Sequence, residues 1–187
     1  MLVKILLEMA NLNSTNIIVL SAYRSGSSYA TEKLAEQHNI EKNVYEDIHA
    51  VDNNCIVKVK LPHNKSWAIA NISNNIAYYL TRDRIDHILD LIASKQEIGI
   101  AEDWETEPVD IVVDNVDSII GGNKYLNRID NIFLELKKYN KGIDITLEEL
   151  KDADGKAQPK RVYNFINQLP NYRHMDIREA VKDIVNV

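Results

Sequence analysis

An α/β fold around a mostly parallel sheet is what this sequence predicts, and three observations predict it. Short apolar runs alternate along the chain with stretches of helical period, the pattern of strand, helix, strand, helix. The run at 16–23 is continuous rather than alternating in polarity, as strands covered on both faces are. It breaks into a polar, glycine-containing turn and passes straight into a helical stretch, which places a ligand-sized turn at a strand's carboxyl end.

Each element follows from its letters. Residues Asn16 to Tyr23 (NIIVLSAY) predict a buried strand, and Ser27 to His38 a helix with Tyr29, Ala30, Leu34 and Ala35 on one face. Cys55 to Leu61 predicts a second strand that Pro62 stops. A helix over 65–74 and a strand at Ile76–Leu80 come next, then an amphipathic helix with Ile85, Ile88, Leu89 and Ile92 inward, running to about Gln96. Residues 98–112 are acidic and irregular, and 98–118 is expected to be a loop or lid. Ile119, Leu126, Ile129, Ile132, Phe133 and Leu136 line a long helix expected to end at Lys141-Gly142, with the glycine as its cap. Ile143 to Leu147 predicts a fourth strand, and the tail predicts helices near 160–168 and 176–185. With no repeat and no Pro/Ser-rich linker, residues 1–187 are expected to form one domain.

Composition removes several classes of function. The net charge of −6 argues against a dedicated nucleic-acid binder, which needs a basic footprint. No apolar run approaches the roughly 20 residues that span a bilayer. The first residues lack the pattern of a signal peptide, and the single Cys55 has no internal partner, so a cytoplasmic setting without membrane contact is expected. No Cys/His spacing suggests a metal. Glycine is scarce, 6 in the whole chain, against roughly 13 at average usage. A glycine among hydroxyls therefore stands out.

That glycine is Gly26, in Tyr23-Arg24-Ser25-Gly26-Ser27-Ser28 between the first strand and the first helix. A turn here aims successive backbone N–H groups and a helix N-terminus at one spot, which suits phosphate or sulfate. Gly26 lets backbone approach an anion, Ser25, Ser27 and Ser28 offer hydroxyls, and Arg24 offers charge in a forked geometry. The same letters also serve as a plain N-cap, with Ser27 or Ser28 capping the helix and nothing bound. The G-x-x-x-x-G-K-[ST] loop of common ATPases and GTPases is absent.

IIVLSAYRSGSSYATEKLAEQH resembles the opening strand, loop and helix of sulfotransferases, whose Arg-Ser-Gly-[Ser/Thr]-[Ser/Thr] loop holds the 5′-phosphosulfate of 3′-phosphoadenosine 5′-phosphosulfate (PAPS). AYYLTRDRIDHILDLIASKQ is similar to that family's second nucleotide segment, in which an Arg and a Ser eight positions later hold the 3′-phosphate. Arg82 matches the Arg; the Ser position is Asp90, and a carboxylate beside a phosphate is repulsive. Fainter likenesses are IVKVKLP at 56–62, Leu147-Glu148-Glu149-Leu150 for a Tyr-Glu-Asp-Leu stretch, and KRVYNFINQLPNY at 160–172. The family's basic, glycine-rich C-terminal loop has only Gly155-Lys156 and Lys160-Arg161 as counterparts.

The resemblance implies a three-layer sheet like that of P-loop nucleotide kinases, and sulfuryl transfer from PAPS to a hydroxyl or amine of a small molecule or glycan. Adenosine 3′,5′-bisphosphate would be the product. Ser25, Gly26, Ser27 and Ser28 would cradle the phosphosulfate, Arg24 would neutralise it, and Arg82 and position 90 would face the 3′ end. An acceptor proton needs a base. Glu46 in Tyr45-Glu46-Asp47 is the first choice, with Asp47, His49 and His63 as alternatives. Lys58 or Lys60, on one strand face by alternation, could meet the leaving phosphate. A non-catalytic binding protein of the same fold is the alternative, and a kinase-like phosphoryl transferase is disfavoured by the missing Walker lysine.

Overall fold

The computed structural model describes residues 16–40, 43–44, 54–98, 116–150 and 177–186. Its centre is a five-stranded, wholly parallel sheet of β1 (Ile17–Ser21), β2 (Asn43–Val44), β3 (Ile56–Lys60), β4 (Ile76–Thr81) and β5 (Ile143–Thr146), in the order β2-β3-β1-β4-β5. All five residues of β1 are buried, as its unbroken apolar run requires of a central strand covered on both faces. The two-residue β2 was too short to leave a pattern in the sequence.

Helices cover both faces, giving three layers. The helices are α1 (Ser27–His38), α2 (Lys65–Asn71, continued by a 3₁₀ turn at Ile72–Asn74), α3 (Arg84–Ile98), α4 (Val116–Leu136), α5 (Leu147–Leu150) and α6 (Ile177–Val185). On one face Ile17, Val19, Ile56, Tyr78 and Leu80 pack against Ala30, Leu34 and Ala35 of α1 and Leu147 and Leu150 of α5. On the other, Ile18, Leu20, Val57, Val59 and Tyr79 meet Ala68, Ile88, Leu89 and Leu91, the α4 stripe, and Ala180, Val181 and Ile184 of α6. That α4 stripe is the set expected from its period: Ile119, Leu126, Ile129, Ile132, Phe133 and Leu136 are all buried.

Three expectations need correction. The long helix ends at Leu136, not at Gly142, because Asn140 pulls the chain away: its Nδ2 donates to the Ile72 and Asn75 carbonyls at 2.8 Å each, and its own carbonyl takes the Tyr79 hydroxyl at 2.6 Å. Gly142 has φ +57°, and a Cβ there would lie 2.7 Å from the Ala77 carbonyl oxygen and 2.5 Å from Tyr79 Cε2. The expected loop does not cover all of 98–118, since residue 98 belongs to α3 and 116–118 to α4; residues 99–115 lie outside the described ones. Tyr29 is not in the core face of α1 but on its flank, 36% exposed, with its hydroxyl donating to the Leu150 carbonyl. The helix expected near 160–168 also lies outside the described residues, whereas that at 176–185 is α6.

Register brings the site together. Ile17 is level with Ile56 and Ile76, and Ser21 with Lys60 and Leu80, so β3, β1 and β4 end side by side. The chain leaving β1 enters α1 on one face, while the chains leaving β3 and β4 enter α2 and α3 on the other. The helices thus diverge at the carboxyl end of β1, the place where sheets of this class bind ligands.

Candidate functional site

The 22–28 turn lies at that end of β1. Arg24 and Gly26 both adopt left-handed backbone, φ +58° and +80°. The non-glycine residue in this conformation marks a strained turn held by its surroundings. Gly26 serves more than flexibility: a Cβ on it would fall 2.6 Å from Leu147 Cδ2, so α5 packs directly under the turn. Leu147 is aimed there by a reciprocal cap. Thr146 N–H donates to Glu149 Oε2 at 2.7 Å, and Glu149 N–H donates to Thr146 Oγ1 at 3.2 Å, hydrogen bonds that hold the Glu149 carboxyl below its ordinary range. The T-x-x-E spacing of Thr146 and Glu149 is the sequence signature of this cap.

The helix that leaves the turn is treated differently. Gly26 is the N-cap of α1, and no side chain caps it among the described residues, so neither Ser27 nor Ser28 plays the capping part. The Ser25 hydroxyl turns inward and donates to the Ala22 carbonyl at 2.9 Å. Ser27 is buried at the first helical position, and its carbonyl accepts the Thr31 hydroxyl at 2.7 Å. Ser28 is exposed and meets a cation: Lys58 Nζ, from the buried middle of β3, donates to its Oγ at 3.1 Å. Lys58 is only 8% exposed, so the strand carries a positive charge through the core to the N-terminus of α1. Both the charge and the helix end favour an anion there. Lys60 diverges from Lys58, with its Nζ 4.7 Å from the centre of the Tyr23 ring. The Arg24 side chain is half-buried and has no ion-pair partner among the described residues.

The other side of the turn is closed by side chains. Tyr23 N–H donates to the Tyr125 hydroxyl at 2.9 Å, and that hydroxyl donates to the Leu61 carbonyl at 3.1 Å. The Tyr23 carbonyl accepts from His87 Nε2 at 2.7 Å. His87 is 4% exposed, and burial, aided by the charge of Arg82 and opposed by the bond to Tyr23, brings its pKa down to about 4. It is neutral at pH 7, with its proton on Nε2 because a carbonyl can only accept. Arg82 Nη1 donates both to the Arg24 carbonyl at 3.1 Å and to Asp90 Oδ2 in a short ion pair. Its buried Nε has no partner among the described residues.

The sequence-predicted residues Arg24, Ser25, Gly26, Ser27, Ser28, Arg82 and Asp90 therefore converge on one turn, with Lys58. His63 lies exposed in the loop after β3, at the same edge. Glu46, Asp47 and His49 lie outside the described residues, as do 155–161. Reading the sequence missed His87 and Tyr125, which act through backbone carbonyl and amide groups and leave no spacing signal. No metal-binding cluster of His, Cys, Asp and Glu occurs among the described residues, and no described helix is long and apolar enough to cross a membrane. No family model matches the chain, and no curated protein matches it.

Proposed function

We propose that this chain is a nucleotide-dependent sulfotransferase that seats the phosphosulfate end of its donor on residues 24–28. The observation that carries the reading is Lys58, a buried cation delivered 3.1 Å from Ser28 Oγ at a helix N-terminus without a side-chain cap. The turn's place after the central strand of a β2-β3-β1-β4-β5 parallel sheet supports the P-loop-like arrangement that the resemblance implies.

In this reading the acceptor oxygen or nitrogen attacks sulfur in line as the bond from sulfur to the nucleotide phosphate oxygen breaks. Negative charge gathers on that leaving phosphate, where Lys58, Arg24 and the backbone N–H groups of α1 stabilise it. The acceptor's proton goes to a carboxylate or imidazole, Glu46 before Asp47, His49 or His63. The acceptor is a hydroxyl or amine of a small molecule or glycan. PAPS is the donor expected from the resemblance. The residues present suit its 5′ end; they do not suit its 3′-phosphate, because the arginine expected there already holds Asp90. That same pair favours a second reading, a nucleotide-binding protein of this fold without catalysis.

The test is calorimetry of the full chain with AMP, adenosine 3′,5′-bisphosphate and ATP. Micromolar binding of either of the first two, weakened in Lys58→Met, supports the reading. A clear preference for ATP favours a phosphoryl transferase, and silence with all three overturns nucleotide binding.

A further inference from the structure

We infer that Asp90 sets the ligand class of this site, limiting it to a nucleotide with a single anionic end, a 5′-phosphate or 5′-phosphosulfate, and no second phosphate on the ribose. The inference rests on the proposed nucleotide reading and concerns the side of the turn opposite Lys58.

Arg82 is the cation that β4 delivers to the turn, and it touches the Arg24 carbonyl at 3.1 Å. A second phosphate near the turn on this side would be drawn to it. Its charge is already met by Asp90 in a pair that is largely out of water, with side-chain exposures of 11% and 17%. Within so little solvent, a phosphate must either lie against the Asp90 carboxylate or break a charge-assisted bond, and both oppose binding.

The start of α3, just after Arg82, is fastened from two directions by other charges. Arg84 Nη1 binds Asp130 at 2.7 Å, and its Nε and Nη2 bind Asn123 Oδ1 at 3.0 and 2.7 Å. Arg178 of α6 binds Asp83 at 3.1 Å and also pairs with Asp86. The neighbouring cations are thus engaged away from the turn. Arg24, which has no ion-pair partner among the described residues, is left to meet one anionic group. A donor such as adenosine 5′-phosphosulfate satisfies this arithmetic. Its reaction balances as above, with the sulfuryl group passing to the acceptor, AMP leaving, and the acceptor proton going to the base.

Titration of the full chain with AMP and with adenosine 3′,5′-bisphosphate gives a ratio of affinities, to be measured in the wild type and in Asp90→Asn, which keeps the shape and removes the charge. The expected wild-type preference for the bisphosphate is below about fivefold, and Asp90→Asn raises that preference by at least about fivefold. A larger wild-type preference, or a ratio that the substitution moves less, overturns the inference while leaving nucleotide binding intact. Should Asp90→Asn fail to fold, the wild-type ratio decides alone. Absence of binding by both nucleotides overturns the nucleotide reading, and this inference with it.

Discussion

On its α1 side the 22–28 turn meets an exposed serine hydroxyl and one lysine; on its α3 side it meets a tyrosine, a histidine and an arginine whose donors point at its own backbone. Both sides hold cations close to the turn, yet their chemistry differs. Lys58 reaches a hydroxyl in the first turn of α1, beside N–H groups that favour negative charge. Arg82 ends at a carbonyl and a carboxylate, acceptors that use its charge within the protein. The α3 side therefore holds the strained turn in place, and the α1 side is the one the proposed reading gives to an anion. Charge alone would not separate the two; the identity of the acceptors does.

The largest effect expected is on the holding side. His87→Ala removes a buried ring and leaves the Tyr23 carbonyl without its donor, a loss of about 2–4 kcal/mol from the cavity and the unmet acceptor together. Chemical denaturation at pH 7 measures it. The same histidine makes the wild type sensitive to acid. Its folded pKa of about 4 lies below the ordinary 6.5, so between these values the unfolded chain binds more protons. His87's contribution is complete above pH 6.5 and is lost as pH falls toward 4, by up to about 3 kcal/mol. In His87→Gln that part of the pH dependence should vanish. An unchanged slope would show that His87 is not the neutral, buried donor described.

On the binding side, Lys58→Met keeps most of the aliphatic stem and removes the charge. Affinity for AMP should fall about 10–100-fold, the worth of one charged hydrogen bond to a bound anion, in a titration at fixed ionic strength. A change within twofold would erase the distinction between the two sides.

The smallest and sharpest test is Arg24→Gly. Its left-handed backbone, φ +58°, suits glycine, so stability should hold or rise by up to about 1 kcal/mol while AMP affinity falls several-fold. Thermal melts and calorimetry on one preparation read both. A loss of stability with no loss of affinity would make Arg24 a part of the holding side.

Local letters carried much of this far. Periodicity placed β1, β3, β4 and β5 and four of the helices to within a few residues, because strands buried on both faces and helices buried on one write their burial directly into the chain. The turn at 23–28 was legible as well, since a rare glycine among hydroxyls marks the passage from strand to helix. Its details were not. The sequence could not say that Ser25 would face inward, that Ser28 rather than Ser27 would meet the lysine, or that Leu147 from the far end of the chain would pack beneath Gly26.

By itself, then, the sequence determined the order of elements, the apolar run of the central strand from Ile17 to Leu20 and the place of the turn, all consequences of short-range pattern. Tertiary structure decided where α4 stops, because Asn140 exchanges helix for carbonyls brought from β4's approach and the 3₁₀ turn. It also decided what each charge does. Arg82 and Asp90 read as separate letters of a helix start, and only the folding of α3 against the end of β4 makes them a pair beside Arg24. Lys58 and Lys60 share a strand face, yet one reaches Ser28 and the other Tyr23. The physical reason is range: hydrophobic period acts over a few residues, whereas the partner of a charge is whichever acceptor the packing of distant elements brings within 3 Å or so.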